Sequence, residues 1–230
     1  MKVILFDLDG TLVRAGGSGR KALNLAVQRL HGVREVCSQF SLAGRTDLDN
    51  FTLAFRAARG RRPSPRELAA VRDAYLAQLP REVSAAVRGR RYELVPGIRR
   101  LLRLLSRRAG VWLGLGTGNV RSGAVIKLGP SGLLPFFSFG GYGCDAYTRS
   151  RMLKTAVLRA EELAGERARR SEVFVIGDTE KDVSAGKKAG YRTGVVTAGF
   201  GDPAAIRAAR PELVTPDFRD PAPWLSWMGL

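Results

Sequence analysis

The sequence predicts an α/β protein: a Rossmann-like parallel sheet core carrying an inserted α-helical cap. Three observations lead there. Short, continuous apolar runs recur at Val3–Phe6, Val111–Leu115, Val173–Ile176 and Gly194–Thr197, each bounded by Gly, Asp or Thr and followed by a helical pattern. Continuous rather than alternating apolar runs are the mark of strands buried on both faces of a parallel sheet, and strand–helix repetition of this kind defines an open α/β layout. Between the first and second runs, residues 18 to 93 hold helical patterns and no strand run. Finally, a chain of 230 residues buries roughly 70% of its unfolded surface, so it needs no disulfide or structural metal.

The elements follow in order. After the first run, Gly16-Gly17-Ser18-Gly19 reads as a flexible hinge between core and cap, with a phosphate loop as the less favoured reading. Helices are expected over Arg20–Leu30, Asp47–Arg59 and Ser64–Val87. Ser64-Pro65-Arg66-Glu67 is a strong start signal: Ser caps, Pro pre-sets the first turn, and Glu occupies the capping-box position. The basic stretch Arg56–Arg66 reads as a solvated loop between two of these helices. Pro96-Gly97 opens a helix over Ile98–Arg108, whose Leu101, Leu102, Leu104 and Leu105 form a core stripe. Another helix pattern covers Met152–Leu163, and Trp224 and Trp227 are placed to dock the C-terminal tail. The division is therefore a core of residues 1–15 and 94–230 with a cap of residues 16–93. No internal repeat or low-complexity segment is present.

Composition narrows the chemistry. Hydrophobic residues make up 45% and charged residues 26%, which excludes disordered, collagen-like and coiled-coil readings. A single histidine, His31, removes mechanisms that need a histidine cluster, and it reads as structural. Two cysteines, Cys37 and Cys144, make neither a disulfide framework nor a four-ligand zinc site; both read as small, partly buried residues. The N-terminus is too short in apolar residues and too acidic for a signal peptide, and no run approaches 18 apolar residues. A cytoplasmic location without membrane contact is expected. The net charge of +17 would attract nucleic acid, anionic membranes or anionic small molecules. The arginines are scattered through nearly every helix pattern, however, and no aromatics alternate with them as in a base-stacking platform. A composition-wide Arg bias is the preferred reading, and a nucleic-acid partner is not expected.

Three polar clusters follow three of the apolar runs: Asp7-Leu8-Asp9-Gly10-Thr11, Gly116-Thr117-Gly118-Asn119, and Gly177-Asp178-Thr179-Glu180-Lys181-Asp182. Open parallel sheets bind ligands at the carboxyl ends of their strands, so neighbouring strands would bring the clusters into one crevice. Asp7, Asp9 and Asp178 would then crowd carboxylates around one point, raising at least one pKa. A hard divalent cation resolves that conflict, and oxygen ligands without His or Cys suit Mg²⁺. Thr117 supplies a hydroxyl, and Gly118 and Asn119 supply amides at a strand-to-helix turn, a natural phosphate cradle. Phosphoryl chemistry follows. Nucleoside triphosphates are not the expected substrate, because no glycine-rich loop ends in Lys-Ser or Lys-Thr.

In order and spacing these clusters resemble the motifs of the haloacid dehalogenase superfamily, specifically its phosphoglycolate phosphatase-like and β-phosphoglucomutase-like branch with a helical cap. The resemblance covers the α/β part of the chain, and the helical insert sits where such enzymes carry a cap. It implies that Asp7 is the nucleophile, forming an aspartyl-phosphate, and that Asp9 protonates the leaving oxygen and then activates water. Asp7, the backbone carbonyl of Asp9, and Asp178 would hold Mg²⁺, with Thr11 and Asp182 in support, the latter orienting a metal-bound water or a nearby cation. Thr117, Gly118 and Asn119 would bind the transferring phosphoryl oxygens. Asp9 argues against dehalogenation, because the dehalogenating members lack that second carboxylate.

One departure stands out. The family's Lys ahead of the third cluster, often followed by Pro, is missing. Arg149 is the first choice for that cation because it precedes the helix pattern at Met152–Leu163, with Arg151 and Lys154 as alternatives; an Arg supplies the charge on a more rigid fork. In the cap, Gly44-Arg45-Thr46-Asp47 admits two compatible readings. Thr46 or Asp47 caps a helix, and Arg45 reaches an anionic substrate. The expected function is a Mg²⁺-dependent phosphatase of a small phosphorylated metabolite, such as phosphoglycolate or another anionic monoester. A phosphomutase shares the same core residues, and a nucleic-acid- or protein-binding module with a relic site is the alternative outside enzymes.

Overall fold

The computed structural model describes residues 1–146 and 148–230. Strand β1 (Lys2–Phe6) is followed by β2 (Val13–Ala15), helices α1 (Ser18–His31), α2 (Asp47–Arg59) and α3 (Pro65–Arg88), and β3 (Tyr92–Leu94), which returns antiparallel along β2. The chain then alternates through α4 (Ile98–Ser106), β4 (Val111–Thr117), α5 (Arg121–Leu128) and β5 (Phe139–Tyr142). It continues with α6 (Arg149–Ala164), β6 (Val173–Gly177), α7 (Glu180–Ala189) and β7 (Arg192–Val196), then α8 (Pro203–Ala209), β8 (Leu213–Thr215) and α9 (Ala222–Met228). The main sheet has the order β5-β4-β1-β6-β7-β8, and every neighbouring pair is parallel. The Rossmann-like core expected from the apolar runs is the observed fold.

Because side chains alternate across a strand, β1 feeds two cores. Ile4 and Phe6 pack with Leu101, Leu105 and Trp224 on one face, and Val3 and Leu5 with Met152, Leu153 and Val173 on the other. Each of these β1 side chains is fully buried, which is why the run reads as continuously apolar. Phe6 stands opposite Leu115 on β4 and opposite Ile176 on β6. The residues that follow therefore leave the sheet side by side, at the point where strand order diverges on either side of β1. Tail docking is as expected: Trp224 is fully buried against Phe218, and Trp227 meets Phe174 edge-on.

The inserted helices have their own core of Leu23, Val27, Phe51, Phe55, Tyr75 and Leu79. Ser64 and Glu67 form the expected capping box at the start of α3, and Thr46 accepts from the Asp49 N–H at the start of α2. Two features tie this block to the core. The β2–β3 ribbon zips the two connecting segments together. At the other end, Asp47 donates its N–H to the Gly118 carbonyl (2.7 Å) and accepts the Val120 N–H on Oδ2 (2.8 Å).

Some boundaries differ from the sequence reading. Four strands were not foreseen: β2, β3, β5 and β8. Each is only three or four residues long and carries a charged residue, a glycine or an exposed residue that breaks the apolar run: Arg14 in β2, Glu93 in β3, Gly140 and Gly141 in β5, and Val214 in β8. Strand β7 covers Arg192–Val196 rather than Gly194–Thr197, because its register on β6 begins at Arg192 opposite Phe174. Helix α4 ends at Ser106, where Arg107 caps it, and not at Arg108. Of the expected hinge, Gly16 and Gly17 have positive φ, but Ser18 and Gly19 belong to α1. Within Arg56–Arg66 only residues 60–64 are loop, and the flanking arginines complete α2 and α3. Cys37 is buried and Cys144 is exposed, so neither is partly buried as expected; Cys144 lies in the turn after β5.

Burial pushes the Asp47 carboxyl up from 3.8 to about 6, against the lowering influence of Lys127 and the Val120 N–H. Below both values native and unfolded chains are alike in protonation. As pH rises from 4 to 6 the unfolded chain ionises first, so this group costs stability that is fully felt above pH 6. Asp47→Asn keeps an oxygen for the Val120 N–H and removes the buried charge. The variant is expected to exceed wild type in denaturant stability at pH 7.5 by up to about 3 kcal/mol, at roughly 1.4 kcal/mol per pH unit, and to lose that advantage toward pH 4. A gap that does not narrow with falling pH would refute it.

Candidate active site

The three polar clusters converge. Asp7, Asp9, Gly118, Asn119, Asp178 and Thr179 line one cavity of about 420 Å³, between the carboxyl end of the sheet and the inserted helices. Asp7 is one residue past β1 and Asp178 one residue past β6. Carboxylate oxygens of Asp7, Asp178 and Asp182 lie within 4.8 Å of one another, and all three residues are buried. Burial first, then the charge of Asp182, raises the Asp7 carboxyl, with Arg149 opposing; burial, Asp182 and Asp7 raise Asp178 in the same way. Crowded, desolvated carboxylates of this kind demand positive charge.

Part of that charge is Arg149. Its guanidinium donates to Asp182 Oδ1 and lies 3.7 Å from Asp7 Oδ1. It sits in the first turn of α6, whose N-cap Thr148 accepts from the Arg151 N–H. Arg151 and Lys154 are exposed and line a separate cleft with Leu48, Cys144 and Asp145. Of the three candidates, only Arg149 faces the carboxylates.

Asp182 is fully engaged: Oδ1 takes Arg149, while Oδ2 accepts the Thr179 N–H at 3.1 Å and hydroxyl at 2.8 Å, closing a capping box on α7. This leaves Asp7 and Asp178 with free ligand capacity. Asp178 Oδ2 accepts the Phe200 N–H (2.6 Å), and no donor among the described residues reaches its other oxygen. The Asp9 carbonyl accepts no backbone hydrogen bond among the described residues. A hard divalent cation fits this donor set of two carboxylates and a free carbonyl. Glycine is required around Asp178: at Gly10, with φ +83°, and at Gly199 a Cβ would overlap its carboxyl group.

The second cluster is more internally bonded than its sequence implied. Thr117 is fully buried, and its hydroxyl accepts from the Asn119 backbone N–H (3.3 Å) and from Asn119 Nδ2 (2.9 Å). Gly118 packs tightly against the segment before α2; a Cβ there would stand 2.5 Å from the Arg45 carbonyl oxygen and 2.9 Å from the Arg149 guanidinium. Asn119 Nδ2 also donates to Asp9 Oδ2 at 2.9 Å. Thr11 is buried with its hydroxyl unpartnered. Arg45 lines the cavity but is exposed, its Nε donating to the Ser41 carbonyl at 3.1 Å.

Sequence reasoning missed Lys127. From α5 its ammonium reaches Asp9 Oδ2 at 2.6 Å and Asn119 Oδ1 at 2.7 Å, with only 7% of the side chain exposed. Burial would lower its pKa, but Asp9, Tyr75 and Asp47 outweigh that and hold it raised. Its signal was a lone Lys inside the apolar helix segment Ala124–Leu128, in a chain whose basic residues are mostly Arg.

Parallel strand order, with carboxylates at the switch point and a crevice beneath the inserted helices, defines a doubly wound α/β protein. Residues 1–190 match the family of haloacid dehalogenase-like hydrolases, and the chain belongs to that family. No curated protein matches the sequence. Among solved structures, a "predicted phosphoglycolate phosphatase" from Haemophilus somnus is 19% identical with a TM-score of 0.72, 96% of each chain being covered. CbbY from Rhodobacter sphaeroides, in complex with phosphate, is 20% identical with a TM-score of 0.69 over 100% of both chains. A haloacid dehalogenase-like family protein from Streptococcus pneumoniae is 23% identical with a TM-score of 0.65, covering 99% of this chain and 98% of its own. These likenesses establish the shared fold. No helix among the described residues is long and apolar enough to cross a membrane.

Removing one partner of a buried ion pair leaves an uncompensated charge and costs about 3–5 kcal/mol. In EDTA, Arg149→Ala should therefore lower unfolding stability by about 3 kcal/mol. Arg151→Ala and Lys154→Ala should stay within about 0.5 kcal/mol of wild type, as exposed surface changes do. Equal effects at the three positions would remove Arg149 from its place as counter-charge.

Proposed function

We propose that this hydrolase is a Mg²⁺-dependent phosphatase of a small phosphorylated metabolite, acting through an aspartyl-phosphate on Asp7. The observation that carries the reading is the pairing of a buried, cation-demanding Asp7 with a second, donor-anchored carboxylate, Asp9, in the same cavity. Asp7 and Asp178, with the Asp9 carbonyl, would hold the ion, which when bound neutralises the carboxylates and the phosphoryl charge. Arg149 supplies a fixed charge beside Asp7. An Arg fork can take phosphoryl oxygens bidentately, and the Thr117 hydroxyl hydrogen and the Gly118 N–H, which Asn119 leaves free, would form the rest of the cradle.

In the first half-reaction an Asp7 oxygen attacks phosphorus, and Asp9 gives a proton to the departing alcohol oxygen. In the second, Asp9 takes a proton from water as it attacks the aspartyl-phosphate, returning Asp7 as carboxylate. Asp182 keeps Arg149 in place through its own bonds to Thr179. The residues 16–93 act as a cap that covers the leaving group and sets substrate choice. Arg45 at the cavity wall favours an anionic alcohol, of which glycolate is one example. A phosphomutase would use the same core; phosphate release without an added bisphosphate distinguishes the two. Intact Asp7, Asp9, Asp178 and Thr117 weigh against a relic site. The free Cys37 and Cys144 fit a reducing, cytoplasmic setting.

Wild-type protein with Mg²⁺ should release phosphate from a panel of monoesters and lose this with EDTA. Asp7→Asn should retain the fold by circular dichroism and lose at least 99% of turnover. More than a few per cent residual activity in deamidation-free protein would end the covalent reading.

Arg45→Ala should change substrate choice more than chemistry. The loss of a charged hydrogen bond is worth roughly 1.5–3 kcal/mol, so kcat/KM for a carboxylate-bearing alkyl phosphate should fall by that equivalent. p-Nitrophenyl phosphate should be affected far less. An unchanged ratio between the two substrates would leave Gly44–Asp47 as a plain helix start.

A further inference from the structure

Lys127 is a buried ammonium with no part in the chemistry described above. It lies on α5, beyond the phosphate-cradle turn, and reaches back to the proposed acid. Asn119 Nδ2 and Lys127 Nζ both bind the same oxygen of Asp9, Oδ2, at 2.9 and 2.6 Å. No donor among the described residues reaches Oδ1. Lys127 also fixes Asn119: an ammonium can only donate, so the amide oxygen must face Lys127 (2.7 Å) and the amide nitrogen must face Asp9 and Thr117. The three side chains form a closed triangle whose vertices cannot be exchanged.

The ammonium also lies close to the inserted helices. A Cβ on Gly19 of α1 would stand 3.3 Å from Lys127 Nζ and 3.6 Å from the Tyr75 hydroxyl of α3. Lys127 therefore sits where the proposed acid meets two helices of the insert.

We propose that Lys127 is a positioning residue that fixes the proton-carrying oxygen of Asp9. Oδ2 is engaged by two N–H donors, which hold the carboxyl group in one orientation and leave Oδ1 as its oxygen without a donor among the described residues. A proton that Asp9 gives to the leaving group is therefore carried on Oδ1. When the Asp7–phosphorus bond forms and the phosphorus–alkoxide bond breaks, that proton passes from Oδ1 to the alcohol oxygen, leaving Asp9 as carboxylate with both Oδ2 bonds undisturbed. The inference rests on the phosphatase reading.

The test is the leaving-group dependence of kcat/KM, which reports steps only through formation of the phospho-enzyme. General acid catalysis contributes about 10²–10⁴-fold where the leaving alkoxide is basic and little where it is a stable phenolate. Lys127→Met should cut kcat/KM for an unactivated alkyl phosphate at least 30-fold more than for p-nitrophenyl phosphate. Equal losses for both substrates would overturn the proposal, because a lysine serving only to hold the fold would depress both alike. Should the Met variant not fold, Lys127→Cys in a Cys144→Ser background, alkylated with bromoethylamine, returns an ammonium at nearly the same reach. Cys37 is buried. Alkylation should restore the wild-type substrate ratio to within about threefold, and a folded, alkylated protein that fails to do so refutes the role. If wild type turns over no monoester at all, the phosphatase reading itself fails and takes this role with it; wild-type turnover with an unmoved ratio sinks Lys127 alone.

Discussion

The rest of the site depends on one electrostatic conflict: three carboxylates, those of Asp7, Asp178 and Asp182, held within 4.8 Å of one another and away from water. Like charges at that separation, in a medium poorer than water, repel by several kcal/mol. The fold imposes the conflict because β1 and β6 are adjacent and in register, so the residues after Phe6 and Ile176 have nowhere else to go. Everything nearby answers it. Arg149 bridges Asp7 and Asp182; Thr179, the N-cap of α7, donates its N–H and hydroxyl to Asp182; and the backbone N–H of Phe200 donates to Asp178. Gly10 and Gly199 exist where a side chain would strike Asp178. The sheet positions the problem, and the loops supply the partners.

A second tier of interactions joins this crevice to the inserted helices, and it runs through the segment from Gly118 to Lys127. Gly118 gives its carbonyl to the Asp47 N–H, Val120 gives its N–H to the Asp47 carboxylate, and Val120 also packs into the insert's own core. On the other side of the cavity, Lys181 of α7 donates to the Ala43 carbonyl at 2.6 Å. The segment 43–47, which contains Arg45, is thus pinned from the turn between β4 and α5 and from α7, and the β2–β3 ribbon pins the far end. The cavity wall that would choose among leaving groups is built on the same strand ends that carry the carboxylates.

Which parts of this were legible in the sequence follows from how local each one is. The central strands were readable because Val3–Phe6 and Val173–Ile176 are buried on both faces and so leave unbroken apolar runs. The site carboxylates were readable because each lies one or a few residues beyond such a run. Arg149 was readable as the cation opening α6, though choosing it over Arg151 required the three-dimensional placement. The ribbon strands were not readable: Val-Arg-Ala and Tyr-Glu-Leu are three residues long and pair across the whole insert. Nor was the partner of Lys127, which meets Asp9 across a sequence separation of 118 residues; its apolar helix neighbours hint at burial but do not say what it meets. The Thr117–Asn119 turn was located correctly, but its hydrogen bonds were not foreseen. Sequence gives the donors and acceptors there without saying that Asn119 spends its own on Thr117 and Asp9.

The same distinction between local and global applies to charge. The chain carries +17 overall, yet the crevice is acidic. Among the described residues, Asp7 and Asp182 pair with Arg149 and Asp9 pairs with Lys127, while Asp178 has no ion-pair partner. The carboxylates outnumber those cations, and under the proposed function a bound divalent cation would supply the balance that a phosphoryl dianion also requires. The surface arginines, many of them exposed or paired with a neighbouring carboxylate as Arg61 is with Glu67, cannot supply this, because exposed charges are screened within about a Debye length of 8–10 Å. What they can do is raise the local concentration of anions at the cavity mouth, where Arg20 and Arg45 stand. Attraction at the rim and neutrality in the crevice are separate requirements, met by different residues, and only the second bears on how the phosphoryl group would be transferred.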